Sequence, residues 1–332
     1  MNLKKTCLGF ALVLFTLSLP ASTAQVARSD YEYYVVGNPS DVVKPTTGGL
    51  LLMGGGKDID AAFQWFIKTS GGGDIVVIRA SGTDAYNPYL YGLGKVDSVE
   101  TIIFKSRAAA SDPFVLNKIR KAEALFIAGG DQFNYVKYWK GTPVEEAIRV
   151  LASKQVPIGG TSAGLAILGE FSFSTREDTI LSSQALADPF DKRVTLDRDF
   201  ISLANMREVI TDSHFVKRDR LGRLVTFLAR IAKEGWAKRV KGIGIDEQTA
   251  LLVEPNGSVS LRGGAAYFLS ARTRPEVCLS KTPLTYRNLV VYKIAGSATF
   301  NLSSWEGAGG KSYTLSAEAG VLSSSQPGGA IY

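Results

Sequence analysis

The sequence predicts an α/β fold in which helices cover both faces of a mostly parallel sheet, with a β-rich C-terminal segment. The main observation is that, from Gly48 onward, short β-rich apolar runs alternate with longer amphipathic segments, which is typical of parallel strands joined by helices. A second is that most of these runs end at glycine or a polar turn residue. Beyond Gly242 the pattern changes to short alternating runs separated by turn residues, which predicts further strands.

The predicted elements follow in order along the chain. Buried strands are predicted at 50–53, 75–78, 101–104, 124–128 and 156–159. Helical spacing between them predicts helices over 58–69, 111–122 and 142–153, with Asp58, Ser111 and Thr142 as N-caps. A strand at 209–212 and a helix over 219–234 come next, and an apolar stripe on this helix predicts its buried face.

The chain is expected to have three parts. Lys4 and Lys5 precede an apolar run at 8–19 and small residues ending at Ala24, which is typical of a secretory signal peptide over residues 1–24. The run is shorter than the roughly 20 residues of a transmembrane anchor, so we expect a secreted or periplasmic protein. An α/β catalytic domain is predicted over residues 25–255 and a β-rich segment over 256–332.

Composition disfavours several classes of partner. The formal net charge is +7, but no dense Lys/Arg run with interleaved aromatics predicts a nucleic-acid surface. Later apolar runs are interrupted by glycine or charge, so no stable membrane insertion is expected. Cys278 is the one cysteine outside the predicted signal peptide, which excludes an intramolecular disulfide. The sequence leaves a homodimer open.

A glycine-flanked serine follows the last predicted strand of the core. Residues 160–164 read Gly-Thr-Ser-Ala-Gly and are followed by an apolar helical segment, the strand, turn and helix context of a nucleophile elbow. Ser162 is therefore a candidate nucleophile. The alternatives are a turn that only packs, or one that binds phosphate, although its spacing matches no common phosphate-binding loop.

A single histidine supports the nucleophile. His214 is the only histidine of the chain, and it follows the strand predicted at 209–212, at the strand end where open α/β sheets place their sites. A serine hydrolase of this kind needs a general base. Although a lone histidine is commonly structural, its pairing with Ser162 favours catalysis.

The acid of a nucleophile-elbow triad usually lies between the serine and the histidine in sequence. The candidates in that interval are Glu170, Glu177, Asp178, Asp188, Asp191, Asp197 and Asp199. Glu177 and Asp178 lie in the polar stretch after the nucleophile helix, where a loop could return to the site. Taken alone, each of these two carboxylates is interpreted at least as readily as a solvated loop residue as it is as the acid of the triad.

Two further features surround these residues. Gly129 and Gly130 end the strand predicted at 124–128, so the N–H groups of Gly130 and Ala163 are the candidate oxyanion donors. The alternative is a simple strand-to-helix turn without a catalytic role, in which Asp131 caps the helix that follows. Three arginines, Arg218, Arg220 and Arg223, follow the histidine. They predict either recognition of a carboxylate-bearing substrate or the exposed side of a helix.

Four motifs together resemble a known family. They are 52–56 (LMGGG), 128–132 (AGGDQ), 160–164 (GTSAG) and 212–215 (DSHF), the last followed by the three arginines and Leu224. The pattern resembles the cyanophycinase and aspartyl dipeptidase family of serine peptidases, whose fold is like that of class I glutamine amidotransferases. It is most similar to the exported cyanophycinases.

The resemblance implies hydrolysis of cyanophycin, a polyaspartate chain with arginine on each side-chain carboxylate, to β-aspartyl-arginine dipeptides. It implies no metal or organic cofactor. By resemblance, Ser162 is the nucleophile, His214 the base and Glu177, with Asp178 beside it, the acid. Gly130 and Ala163 are then the oxyanion donors. The residues implied to hold substrate are Gln132, Asp212, Arg218, Arg220 and Arg223.

One departure and two alternatives accompany this expectation. Ser213 stands where intracellular cyanophycinases have glutamine, so substrate contacts at this position must differ. An exported aspartyl or isoaspartyl dipeptidase would use the same triad with another pocket. A non-catalytic binding protein on the same fold is the third reading, but it would not need Ser162 and His214 in these motifs.

Overall fold

The computed structural model describes residues 23–332 and contains two β-sheets with helices packed against them. The predicted signal peptide, residues 1–24, lies outside the described residues except for Thr23 and Ala24, which begin the first strand. No helix within 23–332 is both long and apolar enough to cross a membrane.

The first sheet has eleven strands, and it contains the parallel core. Its strands in chain order are β1 Thr23–Ala27, β2 Tyr31–Gly37, β3 Leu50–Met53, β4 Asp74–Arg79, β5 Ser98–Phe104, β6 Ala124–Ile127, β7 Ile158–Thr161, β12 Thr249–Val253, β13 Ser258–Gly263, β16 Thr299–Asn301 and β17 Glu306–Ala308. The spatial order is β1-β2-β5-β4-β6-β7-β3-β12-β13-β16-β17. Neighbours from β5 to β3 pair in parallel, and the other pairs are antiparallel.

The second sheet has eight strands and carries the rest of the chain. They are β8 Phe171–Phe173, β9 Leu196–Arg198, β10 Val209–Asp212, β11 Val240–Ile245, β14 Ala265–Ala271, β15 Tyr286–Ala295, β18 Lys311–Glu318 and β19 Val321–Ser324. They lie in the order β19-β18-β15-β14-β11-β10-β8-β9. Only β8, β10 and β11 pair in parallel, so this sheet is mixed as well.

Within residues 23–332, eight α-helices connect these strands. They are α1 Asp60–Thr69, α2 Tyr86–Leu93, α3 Pro113–Lys121, α4 Gln132–Trp139, α5 Pro143–Ser153, α6 Ala163–Ala166, α7 Ser182–Ala187 and α8 Leu221–Lys233. Strands of the parallel core are buried on both faces, as β4 and β6 illustrate. Strands buried on both faces read as continuous apolar runs, which is why the sequence pattern detected them.

The five predicted core strands and the three helices between them are present, with shifted ends. Asp112, rather than Ser111, caps α3, because its carboxylate accepts hydrogen bonds from the N–H groups of Phe114 and Val115. Pro113 then occupies the first helical position, where a missing N–H costs nothing. At α1 the N-cap is Ile59 rather than Asp58, and no side chain caps the helix. The helices α2 and α7 were not predicted, whereas α4 is the helix that Asp131 was expected to cap.

Residues 256–332 contribute the seven strands β13 to β19. They do not form a separate layer, because β13, β16 and β17 extend the first sheet while β14, β15, β18 and β19 complete the second. The predicted boundary at residue 255 falls inside the hairpin of β12 and β13. The catalytic-domain sheets therefore continue through this segment.

Candidate active site

Ser162 directly follows β7 in a strained turn. Its φ of 53° and ψ of −114° lie outside the ordinary regions for a residue with a side chain, and such strain is typical of functional turns. Its N–H donates to the carbonyl of Met53 at 3.2 Å. A Cβ on Gly164 would lie 2.0 Å from the carbonyl oxygen of Ile127, so the second flanking glycine is required by close backbone packing.

His214 follows β10 and rests on the end of β3. Its φ is 49°, and its N–H donates to the carbonyl of Gly54 at 2.8 Å. Gly55 has a φ of +92°, and a Cβ there would lie 2.5 Å from Cε1 of the imidazole. The glycine-rich motif at 52–56 therefore connects the two sheets, because Met53 binds the serine turn while Gly54 and Gly55 hold the histidine.

The two side chains form a hydrogen-bonded relay with a third. Ser162 Oγ lies 2.7 Å from His214 Nε2, and His214 Nδ1 lies 2.7 Å from Glu247 Oε1. His214 is 7% exposed. Burial lowers the pKa of His214, and the positive charges of Arg218 and Arg220 act in the same direction, against the raising effect of Glu247.

Glu247 is well suited to orient the imidazole. The hydrogen bond with His214 lowers the pKa of Glu247, and burial opposes this effect. An ionised carboxylate at Nδ1 favours the tautomer that carries its proton on Nδ1 and a free lone pair on Nε2. In that tautomer Nε2 accepts the Ser162 hydroxyl proton.

The relay corrects the predicted position of the acid. Glu177 and Asp178 were expected at His214, but Nδ1 bonds Glu247, which lies after the histidine in sequence. The sheet explains this, since β10 and β11 are parallel neighbours with Asp212 opposite Gly244. Residues just beyond the two strand ends therefore meet. A strand predicted at 240–245 and paired in parallel with the strand at 209–212 would have placed Glu247 beside His214.

Glu177 and Asp178 instead line the wall of a cavity of about 510 Å³ that contains Ser162 and His214. Both carboxylates lie in an exposed stretch of loop. Asp131, which caps α4 through the N–H of Phe133, lines the same cavity. This wall of the cavity thus carries three carboxylates and one cation, Arg176, in addition to the arginines that follow His214.

The predicted oxyanion donors are part of this cavity. Gly130 and Ala163 line it together with Ser162. The hydroxyl of Tyr135 donates to the carbonyl of Ala128 at 2.8 Å. It lies only 2.7 Å from the position that a Cβ on Gly130 would occupy. This contact fixes the loop that carries Gly130 and requires glycine there.

The three arginines line the cavity but differ in burial and in their hydrogen-bond partners. Arg223 is 3% exposed, and its Nε and Nη2 bond both carboxylate oxygens of the buried Asp212 at 2.7 and 2.6 Å. Arg220 donates through Nη1 to the carbonyl of Ser213 at 2.9 Å. Arg218 is 54% exposed, with its Nε 4.0 Å from Glu247 Oε1. Asp212 thus pairs closely with Arg223 and, at 3.4 Å, with the largely buried Arg220. Arg218 is the most exposed cation of the three.

The remaining predicted substrate residue, Gln132, lies at the first position of α4. Its Nε2 donates to the carbonyl of Phe173 at 3.2 Å, and its side chain lines the cavity. Thr179, which sequence reasoning did not identify, accepts from Arg223 Nη1 at 3.1 Å. This contact ties the loop that carries two of the wall's carboxylates to the buried ion pair.

Tyr332 contacts the loop that follows the histidine. Its hydroxyl donates to Asp219 at 2.8 Å and accepts from the N–H of Leu221 at 3.0 Å. Its ring packs edge-on against Phe215, the neighbour of His214, and against Tyr267. Residues 256–332 thus support the loop that carries the base and the arginines.

The donor set does not point to a metal. Within residues 23–332, no group of three or more His, Cys, Asp or Glu side chains is arranged to hold an ion. The groups that the site does offer include a hydroxyl, an imidazole, a carboxylate and backbone N–H groups.

Comparison with known proteins agrees with this geometry. The model of peptidase family S51 matches residues 50–260. A cyanophycinase of Trichormus variabilis is 27% identical over 213 residues, which is 62% of this chain and 66% of the relative, so the match spans slightly under two thirds of that protein. A cyanophycinase of Geminocystis herdmanii is 26% identical over 272 residues, 76% of this chain and 93% of the relative.

Among solved structures, a peptidase from an acI-B1 actinobacterium aligns with a TM-score of 0.51 at 16% identity. The alignment covers 77% of this chain and 97% of that one. At this identity the likeness concerns the fold alone. It confirms the predicted α/β fold class, here built from two mixed sheets around a parallel core.

Proposed function

Because the chain belongs to peptidase family S51, we propose that it is a serine peptidase whose nucleophile is Ser162, whose base is His214 and whose orienting acid is Glu247. The family bears out the predicted class of enzyme, a serine-type peptidase. The observation that carries the assignment of roles is the relay from Ser162 Oγ through the imidazole to Glu247, with 2.7 Å at each step.

The chemistry follows from the positions of the atoms. Ser162 Oγ attacks the carbonyl carbon of the scissile amide while Nε2 of His214 takes the hydroxyl proton. The resulting oxyanion accepts hydrogen bonds from the N–H groups of Gly130 and Ala163. The amide nitrogen takes the proton from Nε2 and leaves as the amine. Water, deprotonated by Nε2, then hydrolyses the acyl ester and restores Ser162.

The proposed substrate is cyanophycin. Relatives named cyanophycinase support it, and so does the charge distribution of the cavity. Arg218 and Arg220 lie on the His214 side, while Glu177, Asp178 and Asp131 line the wall. A β-aspartyl-arginine unit carries a carboxylate and a guanidinium. The carboxylate of the unit can pair with the arginines, which are suited to bind carboxylates. Its guanidinium can pair with the carboxylates of the wall.

The experiment is digestion of a cyanophycin suspension by the purified protein, with products identified by mass spectrometry. We expect the suspension to clear and β-aspartyl-arginine to accumulate. Ser162→Ala should reduce the rate by about 10⁶-fold while the circular dichroism spectrum stays unchanged. An unchanged rate in this variant would remove Ser162 from the mechanism.

The same assay separates two related substrates. An aspartyl or isoaspartyl dipeptidase would hydrolyse free aspartyl dipeptides faster than the polymer, whereas a cyanophycinase releases dipeptides and leaves them intact. A binding protein without turnover would process neither substrate. Labelling of Ser162 by an active-site serine probe, absent from Ser162→Ala, would exclude that third reading.

We also propose that the protein acts outside the cytoplasm, on polymer released from other cells. The support is the predicted signal peptide at residues 1–24. The test is expression of the full chain in a bacterial host, followed by fractionation and N-terminal sequencing. We expect a product in the periplasm or medium beginning at Gln25. A cytoplasmic product that retains Met1 would contradict the proposal.

A further inference from the structure

A second cavity lies at the end of the glycine-rich motif, beside Gly56. It has a volume of about 460 Å³ and is lined by Gly56, Lys57, Asp58, Asp60, Tyr86 and Tyr89. Gly55 contacts the imidazole of His214, and a Cβ on Gly56 would lie 3.1 Å from Cβ of Glu247. The second cavity is therefore next to the catalytic relay, but no residue that lines this cavity is part of the relay.

The cavity combines two tyrosine rings with two carboxylates. Tyr86 and Tyr89 have ring centroids 6.4 Å apart and are held in place by packing against Phe63. Tyr86 donates its hydroxyl to Asp58 at 3.3 Å, and Tyr89 donates to Asp60 at 2.7 Å. Each carboxylate retains an oxygen that accepts no hydrogen bond from residues 23–332, so acceptor capacity remains for a ligand.

The two carboxylates share the cavity with one cation, Lys57, but are not ion-paired with it. Other carboxylates of the described chain, such as Asp212 and Glu100, pair with arginine or lysine. Asp58 and Asp60 form no such ion pair within residues 23–332. Burial raises the pKa of Asp58, as expected for a carboxylate that is partly desolvated without a compensating cation.

This combination selects a particular kind of ligand. Tyrosine faces and carboxylates together suit an organic cation, because the ring quadrupole attracts a positive charge and the carboxylate pairs with it. A guanidinium fits best, since it stacks on aromatic faces and donates two parallel hydrogen bonds to a carboxylate. A bare metal ion fits poorly, because the rings offer it no oxygen ligands beyond their hydroxyls.

We propose that this cavity is a subsite for an arginine side chain of the polymer, one or more units away from the bond being cleaved. The inference rests on the proposed function, in which each aspartate of the substrate backbone carries an arginine. A chain with its scissile bond at Ser162 and its next units passing the exposed Gly56 would present a flanking guanidinium to Tyr86 and Tyr89.

Binding to insoluble cyanophycin tests the subsite apart from catalysis. Ser162→Ala protein is incubated with polymer granules, and the bound fraction is measured over a range of protein concentrations. Adding Asp58→Asn and Asp60→Asn should weaken binding about 5- to 20-fold. A matched control adds Asp199→Asn and Glu306→Gln, which make the same charge change at exposed positions, and should bind like Ser162→Ala. Equal binding by the Asp58/Asp60 protein and this control overturns the subsite.

Hydrolysis gives a second readout. In the Ser162 enzyme, the Asp58→Asn and Asp60→Asn pair should lower kcat/KM for long polymer relative to kcat/KM for a substrate of two dipeptide units by about 5-fold or more. Tyr89→Leu should lower the same ratio, and Tyr89→Phe, which keeps the ring, should lower it less. An unchanged ratio in all three variants contradicts the inference.

The design separates the two proposals and allows for misfolding. If the unmodified enzyme fails to clear cyanophycin, the proposed function fails; if it clears the polymer and the granule-binding and ratio tests show no change, only the subsite fails. Asp60 is the first residue of α1, where a carboxylate favours the helix N-terminus. Melting temperatures are therefore compared, and Asp58→Asn, outside the helix, carries the test if the double variant unfolds.

Discussion

The turns that hold Ser162 and His214 both place a residue with a side chain in the left-handed region, but they are stabilised differently. The serine turn depends on glycines of its own motif, because Gly160 and Gly164 allow the chain to reverse between β7 and α6, with Met53 as a further contact from the adjacent strand. The histidine is held by distant segments, through Gly54, Gly55 and Glu247. A nucleophile can thus be encoded in five consecutive residues, whereas the base depends on the assembly of both sheets.

The largest expected effect is loss of the base. His214→Ala should lower kcat by about 10⁴- to 10⁶-fold, because no other group near Ser162 Oγ accepts its proton. The measurement is the initial rate of cyanophycin hydrolysis, with thermal melting to verify the fold. A loss of less than 10-fold would mean that another group activates the serine.

Replacement of the orienting acid should come next. Glu247→Gln should lower kcat by about 10²- to 10⁴-fold, since the uncharged amide no longer stabilises the imidazolium or enforces its tautomer. Glu177→Gln and Asp178→Asn are matched controls, and their effect should fall on KM, because both carboxylates line the cavity away from His214 Nδ1. The reverse pattern would restore the acid predicted from the sequence.

Displacement of the imidazole should have a smaller effect. Gly55→Ala introduces a Cβ 2.5 Å from the ring at a φ of +92°, so the ring must move and kcat should fall about 10- to 100-fold. Gly92→Ala is the control, because a Cβ there meets nothing within 4 Å. If both variants retain full kcat, contact with Gly55 does not position the base.

The smallest expected effect concerns pH. Burial, with Arg218 and Arg220, lowers the pKa of His214, and the base acts when neutral, so kcat should rise with pH at a midpoint below the ordinary value of about 6.5. Arg218→Gln removes one positive charge and should therefore raise this pKa and move the midpoint to higher pH. Arg176→Gln, in the same cavity, should leave it in place.

Nuclear magnetic resonance can follow this titration directly, because His214 is the only histidine and a protein without a histidine tag gives one imidazole signal. The chemical shift of that signal against pH yields the pKa without substrate. A pKa above the ordinary range in the unmodified protein would contradict the predicted direction.

The sequence by itself predicted the parallel core and identified Ser162 and His214 as the candidate nucleophile and base. Strands such as β4 and β6 are buried on both faces and so read as continuous apolar runs. Ser162 lies in a local turn motif, and the histidine count left one candidate for the base. These features depend on neighbouring residues or on composition, which a sequence displays directly.

Only the tertiary structure showed which carboxylate contacts His214, how the arginines are ion-paired and where residues 256–332 run. Glu247 reaches His214 because β10 and β11 are parallel neighbours, and no sequence spacing reveals which strands pair. Arg223 is neutralised by Asp212 because α8 packs its buried face against β10, an arrangement set by long-range packing. The strands after residue 255 join both sheets for the same reason, since hydrogen-bonding partners across a sheet are chosen in space rather than along the chain.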